Sequence, residues 1–458
     1  MSIFKRLSVW NEKRNNTVAF FHPQCGNLGG GEKVLWCIVS ETLKSDPRAR
    51  VVIYSDREIC KEKLLRDVDC VFKMGFDSKE VVDRIEIVKL RLGFLTRLSF
   101  FKLWSVNFGA MIASIEALLL RWPFPKFFVE TAGYSFSLIP ARILPTTKHV
   151  STYIHYPQVR KDRIDEARKS GNYLRYLYLK SFSIIYYLSF KSAHKVVVNS
   201  NWTRCRFEEL FVDKKLNIQV CYPPIFKYKI NKEELSDVNL QKRDETVVSL
   251  AQFRPEKNQM LQIKIFHQVL KRISALIEEA SEEDEKLRLI NKQTKLKLKI
   301  CGTSQKSNPE YLKYIDSLNE LIERRGLQDR VELVIDSTID DLNTILSTSR
   351  IAIHTMEEEH FGICVAEFLY FGLLTISHKS GGPETDILKP YNNKQIGFLA
   401  SSFEEYVEIL LNLIVNYESS PFQKVLIDAQ EAVENRFQDY VSFGKTCREV
   451  LDISFLQT

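Results

Sequence analysis

Short segments rich in β-branched and aromatic residues alternate twice with longer stretches of helical spacing, and this constrains the chain more than any other feature. The first series falls at 17–21, 50–54, 84–90, 126–131, 149–155 and 193–199. The second falls at 246–251, 296–301, 330–335, 350–354, 373–377 and 396–399. A strand that is followed by a helix before the next strand returns in the same direction, so each series predicts a parallel sheet covered by helices. Between the two series, 227–245 is polar and charged with no apolar period, which marks a linker. A chain of 458 residues also exceeds what one hydrophobic core usually holds. The expectation is an α/β protein with domains at 1–226 and 246–423, followed by a helical tail, 424–458, able to cross back to the first domain.

The charge balance narrows the partners. A net charge of +7 favours phosphates or a lipid surface, while no arginine-rich tail or nucleic-acid motif is present, so no nucleic acid is expected. The nine cysteines are odd in number, scattered, and never spaced Cys-x-x-Cys, which fits a reduced, cytosol-facing protein. Residues 1–16 carry four cations but no apolar run of signal-peptide length, so secretion is not expected. The triplets Asn15-Asn16-Thr17 and Asn201-Trp202-Thr203 match the glycosylation pattern, which arises often by chance. Asp67-Val68-Asp69 matches the Asp-x-Asp of metal-dependent transferases, but it lies in a charged early segment and reads as coincidence. Histidine and cysteine spacings show no zinc site, and no metal is expected.

Residues 103–120 are largely apolar with Glu116 the one charged residue, long enough to consider a membrane span. They lead directly into a strand, and a buried core helix is the expectation. The segment before it interleaves Arg91, Arg97 and Lys102 with Phe94, Phe100, Phe101 and Trp104, and 173–190 has a similar basic and aromatic character. Such a pattern suits helices lying in a membrane interface.

Three segments carry candidate chemistry. The first strand ends in His22-Pro23, and Gly29-Gly30-Gly31-Glu32 then opens a helix, where backbone N–H groups favour phosphate. The pattern is neither G-x-G-x-x-G nor a P-loop. The second domain opens with Ala251-Gln252-Phe253-Arg254-Pro255-Glu256-Lys257-Asn258, placing Arg254 and Lys257 at a sheet edge where open α/β folds bind ligands. The strongest signal is 354–367, His-Thr-Met-Glu-Glu-Glu-His-Phe-Gly-Ile-Cys-Val-Ala-Glu. It sets Glu359 in a loop with His360, Phe361 and Gly362, and Glu367 about one turn inside the following helix. Loop N–H groups and two carboxylates suit a polyol attached to a diphosphate. Being on one loop-helix unit, the two carboxylates cannot flank a glycosidic bond as a hydrolase pair does.

Glu359 to Glu367, followed by Ser380-Gly381-Gly382-Pro383-Glu384, resembles glycosyltransferase family 4, a retaining group with the GT-B fold. More narrowly, the segments Phe20-Phe21-His22-Pro23, Gly29 to Cys37, Tyr153 to Pro157, Val198 to Thr203, Tyr222-Pro223-Pro224, Gln252 to Asn258 and His354-Thr355-Met356 resemble the α-1,2-mannosyltransferases acting on dolichyl-diphosphate-linked Man3GlcNAc2. The resemblance implies two facing Rossmann-like domains, a GDP-mannose donor on the second, and a lipid-linked acceptor on the first. It implies no cofactor, and donor contacts from Gly30, Gly31, Arg254, Lys257, Gly302, His360, Phe361, Gly362 and Glu367. Glu359 would hold the mannose, Glu367 the ribose, Lys257 the diphosphate, and His155 the transferred sugar. Many family members place Arg where this chain has Gln252, so Arg254 is expected to supply the second cation. It further implies the cytosolic face of the endoplasmic reticulum and contact with other transferases of the pathway; members of the family commonly carry an N-terminal membrane anchor, and with about sixteen residues before the first strand here the expectation is instead peripheral attachment through Arg91 to Trp104, Tyr173 to Phe190 or a partner. A relative using another donor or lipid acceptor, or an inactive scaffold of the same fold, is the alternative.

Overall fold

The computed structural model describes residues 16–76, 78–98, 100–121, 124–212, 216–227, 243–304 and 309–455. The chain divides into two units, residues 1–224 with 438–458, and residues 225–437. The first holds β1 (Thr17–Phe21), β2 (Arg50–Ser55), β3 (Ile85–Lys89), β4 (Phe127–Glu130), β5 (His149–Ile154), β6 (Lys195–Val198) and β7 (Ile218–Val220). These run parallel in the order β3-β2-β1-β4-β5-β6-β7. The second holds β8 (Asp244–Leu250), β9 (Lys297–Gly302), β10 (Val331–Ile335), β11 (Ser349–His354), β12 (Leu374–His378) and β13 (Phe398–Ala400), parallel in the order β10-β9-β8-β11-β12-β13.

Helices cover both faces of each sheet, so central strands are buried on both sides: every residue of β1 and of β11 is buried. In β1, Val18 and Phe20 join one apolar cluster while Ala19 and Phe21 join another, as the alternation of side chains along a strand requires. Each Phe so buried contributes roughly 1.5–3 kcal/mol. Strand order reverses between β1 and β4, and between β8 and β11. In open parallel sheets the loops leaving the strands diverge at such a point, which opens a crevice for ligands.

The helix Leu103–Leu120 shows why its segment read as a core helix and where that reading falls short. One stripe, Asn107, Ala110, Ser114 and Ala117, is buried. Glu116 accepts hydrogen bonds from the N–H groups of Arg91 and Leu92 at 2.9 and 2.7 Å and pairs with Arg121 at 2.6 Å. A Cβ on Gly109 would lie 2.2 Å from the Leu95 carbonyl oxygen, so only glycine allows this approach. The opposite stripe is exposed. Trp104, expected at the membrane, is partly buried and packs on Phe136 and Phe182 with ring centroids 6.0 and 5.4 Å away.

The tail divides differently from the expected boundary at 424. Helix Ser420–Arg436 stays with the second unit, and only helix Tyr440–Val450 belongs to the first. There it packs so closely on helix Gly30–Ser45 that a Cβ on Gly444 would sit 2.8 Å from the Cys37 carbonyl oxygen. The stretch read as a linker also shrinks, since β8 begins at Asp244, inside it. Residues 228–242 of that stretch lie outside the described residues.

Candidate functional site

In the second unit, the loops leaving β8 and β11 meet at the point where strand order reverses. Thr355, the first residue after β11, donates one hydroxyl hydrogen shared between the carbonyls of Lys257 and Asn258, at 3.1 Å each, and accepts from Gln262 Nε2 at 3.0 Å. This clamp joins two loops about a hundred residues apart and sets the Lys257 ammonium on the Glu359 carboxylate in a direct ion pair. His354, at the end of β11, brings its Nε2 to 3.2 Å from the same carboxylate. That nitrogen makes no directed hydrogen bond, so its contact with Glu359 is electrostatic. The His360 N–H donates to the other carboxylate oxygen at 3.2 Å.

Burial alone would raise the pKa of Glu359, which is only 8% exposed, but Lys257 and His354 hold the carboxyl well below its usual range. Burial likewise works against charge on His354. The Cys364 sulfur, 3.7 Å from Nδ1, and the Glu359 carboxylate more than offset it and lift the ring to about 9. The site at neutral pH therefore combines one carboxylate with two cations.

A second loop buttresses this one. Gly381 has φ +68°, and a Cβ there would lie 2.2 Å from the Glu359 carbonyl oxygen, while the Gly382 N–H donates to that oxygen at 2.7 Å. Ser380 Oγ accepts from the Glu358 N–H at 2.7 Å, steadying a residue held at φ +52°. Gly362, at φ +96°, turns the chain into helix Ile363–Tyr370. Glu367, one turn into that helix, is buried and accepts from the Phe226 N–H at 3.1 Å. The Phe361 side chain points away from this cluster into packing, edge-on to Phe437 at 5.5 Å, and leaves only its backbone for a ligand.

Arg254 lies on the loop after β8, partly buried, with its Nε buried and unbonded. It makes no ion pair among the described residues, whereas Lys257 is already committed to Glu359. Gln252 is held through its carbonyl by Gln259 Nε2 at 2.9 Å. Gly302 ends β9, and a Cβ there would fall 1.9 Å from the Ala251 carbonyl oxygen. The structure thus gives Gly302 a packing task, the close approach of the β8 loop.

The first unit gathers a separate cluster where its own strand order reverses. His22, just past β1, bonds Thr131 Oγ1 through Nδ1 at 2.9 Å and lies 3.5 Å from Glu32 through Nε2. Glu32 in turn accepts from the Gly29 N–H at 2.9 Å, which fixes the start of helix Gly30–Ser45. Burial opposes charge on Glu32, but His22 and this N–H hold its pKa below the ordinary value. His155, past β5, donates from Nε2 to the Thr131 carbonyl at 3.1 Å, and a Cβ on Gly31 would touch its ring at 3.5 Å. Gly31 and His155 are therefore neighbours, as are His22 and Glu32. Glu130, which sequence reasoning passed over, orders the loop after β4 by accepting from Ala132 N, Tyr134 N and Thr152 Oγ1 at 2.7–2.9 Å.

Other sequence candidates find structural roles. Asp69 accepts from the N–H groups of Gly75 and Phe76 at 2.6 and 3.2 Å, closing the turn after helix Lys61–Phe72. Thr203 of the glycosylation triplet is fully buried against Ser200 and Asn199. Among the described residues no group of three or more His, Cys, Asp or Glu side chains is placed to hold a metal ion.

Comparison with known proteins places these sites in context. The profile described as "ALG11 mannosyltransferase N-terminus" matches residues 15–211, and "Glycosyl transferases group 1" matches residues 231–424. A Mus musculus protein described as GDP-Man:Man(3)GlcNAc(2)-PP-Dol alpha-1,2-mannosyltransferase is 30% identical, covering 97% of this chain and 87% of its own length. Proteins of the same description from Neurospora crassa and Caenorhabditis elegans are 29% and 30% identical, covering 87% and 88% of this chain and 74% and 84% of theirs. Among solved structures, sucrose-phosphate synthase from Thermosynechococcus elongatus superposes with TM-score 0.64 at 14% identity, covering 96% of this chain and 100% of that one. The Anabaena protein Alr3699/HepE, solved with UDP and glucose, gives 0.61 at 16%, with the same coverage. Likeness at such identity is one of fold, and the fold is GT-B.

Proposed function

Because this chain belongs to the family of mannosyltransferases that extend dolichol-linked Man3GlcNAc2, we propose that it transfers mannose from GDP-mannose to that acceptor in α-1,2 linkage with retention of configuration. The observation that carries this is the Lys257–Glu359 pair at the strand-order reversal of the second unit, in a chain 30% identical to a transferase of that description over nearly its whole length.

Glu359 takes hydroxyls of the donor mannose, for which a carboxylate held ionised by Lys257 and His354 is a strong acceptor. Lys257 and Arg254 neutralise the diphosphate. Arg254 supplies the charge that Gln252 lacks, and its uncommitted guanidinium supports that role. Glu367 binds the ribose. To His155 and the N–H groups at Gly30 and Gly31, at a helix end where anions are favoured, we assign contact with the transferred sugar and its phosphate.

The reaction follows as a front-face displacement. The bond from mannose C1 to the diphosphate oxygen breaks, the bond from C1 to the acceptor hydroxyl oxygen forms on the same face, and the hydroxyl proton passes to the departing GDP. No protein nucleophile or metal is needed. The cations stabilise the leaving charge, and the pre-set loops align the reactants. The protein works at the cytosolic face of the endoplasmic reticulum, where a dolichol-linked acceptor is held. Incubation with GDP-mannose and dolichyl-diphosphate-linked Man3GlcNAc2 should give a longer glycan that α-1,2-mannosidase trims back. Absence of any elongation by the native protein, or full retention of it by Glu359→Ala, would sink the proposal.

A further inference from the structure

At the carboxyl ends of β1, β2 and β3 in the first unit, loops close around one buried acid. Asp56, the first residue after β2, has its carboxylate fully buried, and two guanidiniums reach it. Arg57 Nε lies 3.2 Å from one carboxylate oxygen and Arg97 Nε lies 2.6 Å from the other. The two arginine side chains are nonetheless 50% and 48% exposed. Each spends its Nε–H on Asp56, and among the described residues no other acceptor takes the terminal nitrogens of either.

The loops that carry these cations are locked together. The Asp56 N–H and the Ser55 hydroxyl both donate to the Pro23 carbonyl, at 3.0 and 3.3 Å, and the Leu90 N–H donates to the Ser55 carbonyl at 2.9 Å. The turn Gly93–Arg97 presses so closely on the β2 loop that a Cβ on Gly93 would lie 2.7 Å from the Asp56 Cα. Buried Thr96 closes that turn by donating its hydroxyl to the Gly93 carbonyl at 2.8 Å. Arg97, read from the sequence as an interfacial cation, is therefore held on a rigid scaffold at the sheet edge. Two guanidiniums against one carboxylate leave a positive charge. The flanking sequence adds to it, since residues 89–102 hold Lys89, Arg91, Arg97 and Lys102 and no acid, while Glu58 is engaged by Lys89 at 3.4 Å.

We propose that Arg57 and Arg97, anchored side by side on Asp56, bind the diphosphate of the lipid-linked acceptor. One guanidinium is enough to answer a carboxylate. A second, with both anchored through Nε and both half exposed, presents planar sets of donors suited to phosphate oxygens. The carboxyl ends of parallel strands are also where open sheets of this kind take ligands. The donor's diphosphate is assigned its own cations, Lys257 and Arg254, on the second unit, so the anion left for this site is that of the other substrate. The anion site stands on its own geometry; naming the acceptor as its source rests on the proposed function.

The test compares two acceptors in detergent without added phospholipid: Man3GlcNAc2 on a short prenyl diphosphate, and Man3GlcNAc2 as a simple alkyl glycoside. Native protein should favour the first. In Arg57→Gln/Arg97→Gln the ratio of kcat/KM for the two acceptors should fall by about tenfold to a hundredfold, as for loss of one or two charge-assisted hydrogen bonds, with KM for GDP-mannose unmoved. Arg57→Gln alone leaves the Arg97–Asp56 pair in place and should lower the same ratio by less; it decides the matter if the double variant melts early. An equal fall on both acceptors, or an unchanged ratio, overturns the proposal. So does a defect seen only on vesicles containing phosphatidylserine, which would make a lipid headgroup the ligand. If native protein transfers to neither acceptor, the function fails, and titration calorimetry with farnesyl diphosphate in excess GDP decides the site alone. Binding about tenfold weaker in the variants supports the site, and equal binding overturns it.

Discussion

Replacing Glu359 with Gln preserves the side chain's shape and removes its charge, so it isolates what the carboxylate does electrostatically. The pKa of His354 stands at about 9 against an ordinary 6.5, with Cys364 and Glu359 overcoming the effect of burial. That difference is worth about 3 kcal/mol, at roughly 1.4 kcal/mol per tenfold change in proton affinity. A raised folded-state pKa contributes stability that is fully present below 6.5 and is lost as pH climbs through about 9. Glu359→Gln should remove the carboxylate's share of this and leave only that of Cys364. Breaking a buried pair costs about 3–5 kcal/mol, an upper bound here because the Lys257 side chain, 13% exposed, can swing its ammonium toward water. At about 2–4 °C per kcal/mol for a unit of this size, the melting temperature should fall by roughly 5–15 °C near pH 6.5. The gap from native protein should narrow above about pH 9, where His354 is neutral in both. Mannosyl transfer should drop by about two to three powers of ten, as for loss of one preorganised charge-stabilising group. Scanning calorimetry across this pH range, with transfer assays alongside, makes the comparison. A melting gap that stays constant through pH 9 would refute the coupling of His354 to Glu359.

Arg254→Ala should raise KM for GDP-mannose and lower kcat, together about ten- to a hundredfold, with partial recovery in Arg254→Lys; steady-state kinetics showing neither change would remove Arg254 from the diphosphate. Gly381→Ala forces a Cβ into the Glu359 carbonyl oxygen at a left-handed position, so a loss of about 1–3 kcal/mol or more is expected in urea unfolding. Native stability in that variant would show the loop is not held as described. Trp104→Ala should cost about 2–4 kcal/mol even in detergent, because Trp104 packs on Phe136 and Phe182; unchanged melting would return Trp104 to the surface.

Much of this architecture was legible because doubly covered strands such as β1 and β11 must be apolar along their whole length, which makes them stand out. β7 escaped because Ile218–Val220 is three residues long with its central side chain exposed, too little for a pattern. Glu359 and Lys257 were each singled out, but nothing in a linear reading joins residues 102 positions apart. Their pairing follows from the strand order, which brings the β8 and β11 loops together. His354 and Thr355 were noted only as part of a motif; their tasks, charging the site from behind and clamping Lys257, exist only once the loops meet. Trp104 shows the limit of a linear reading. A tryptophan among cations fits a membrane interface and a helix-packing seam equally well, and only its neighbours distinguish them.

The chain enters the second unit at Ile225 and leaves it at Phe437, so that unit is an insertion fastened at both ends. Each fastening is tied to the same short motif: Glu367 holds the Phe226 N–H, and Phe361 meets the Phe437 ring. If the donor's ribose binds Glu367 as proposed, it shares that carboxylate with the Phe226 N–H, and by linkage donor affinity and the setting of Phe226 would each respond to the other. A substitution at Phe226 or Phe437, outside any ligand contact, should register in the donor's affinity.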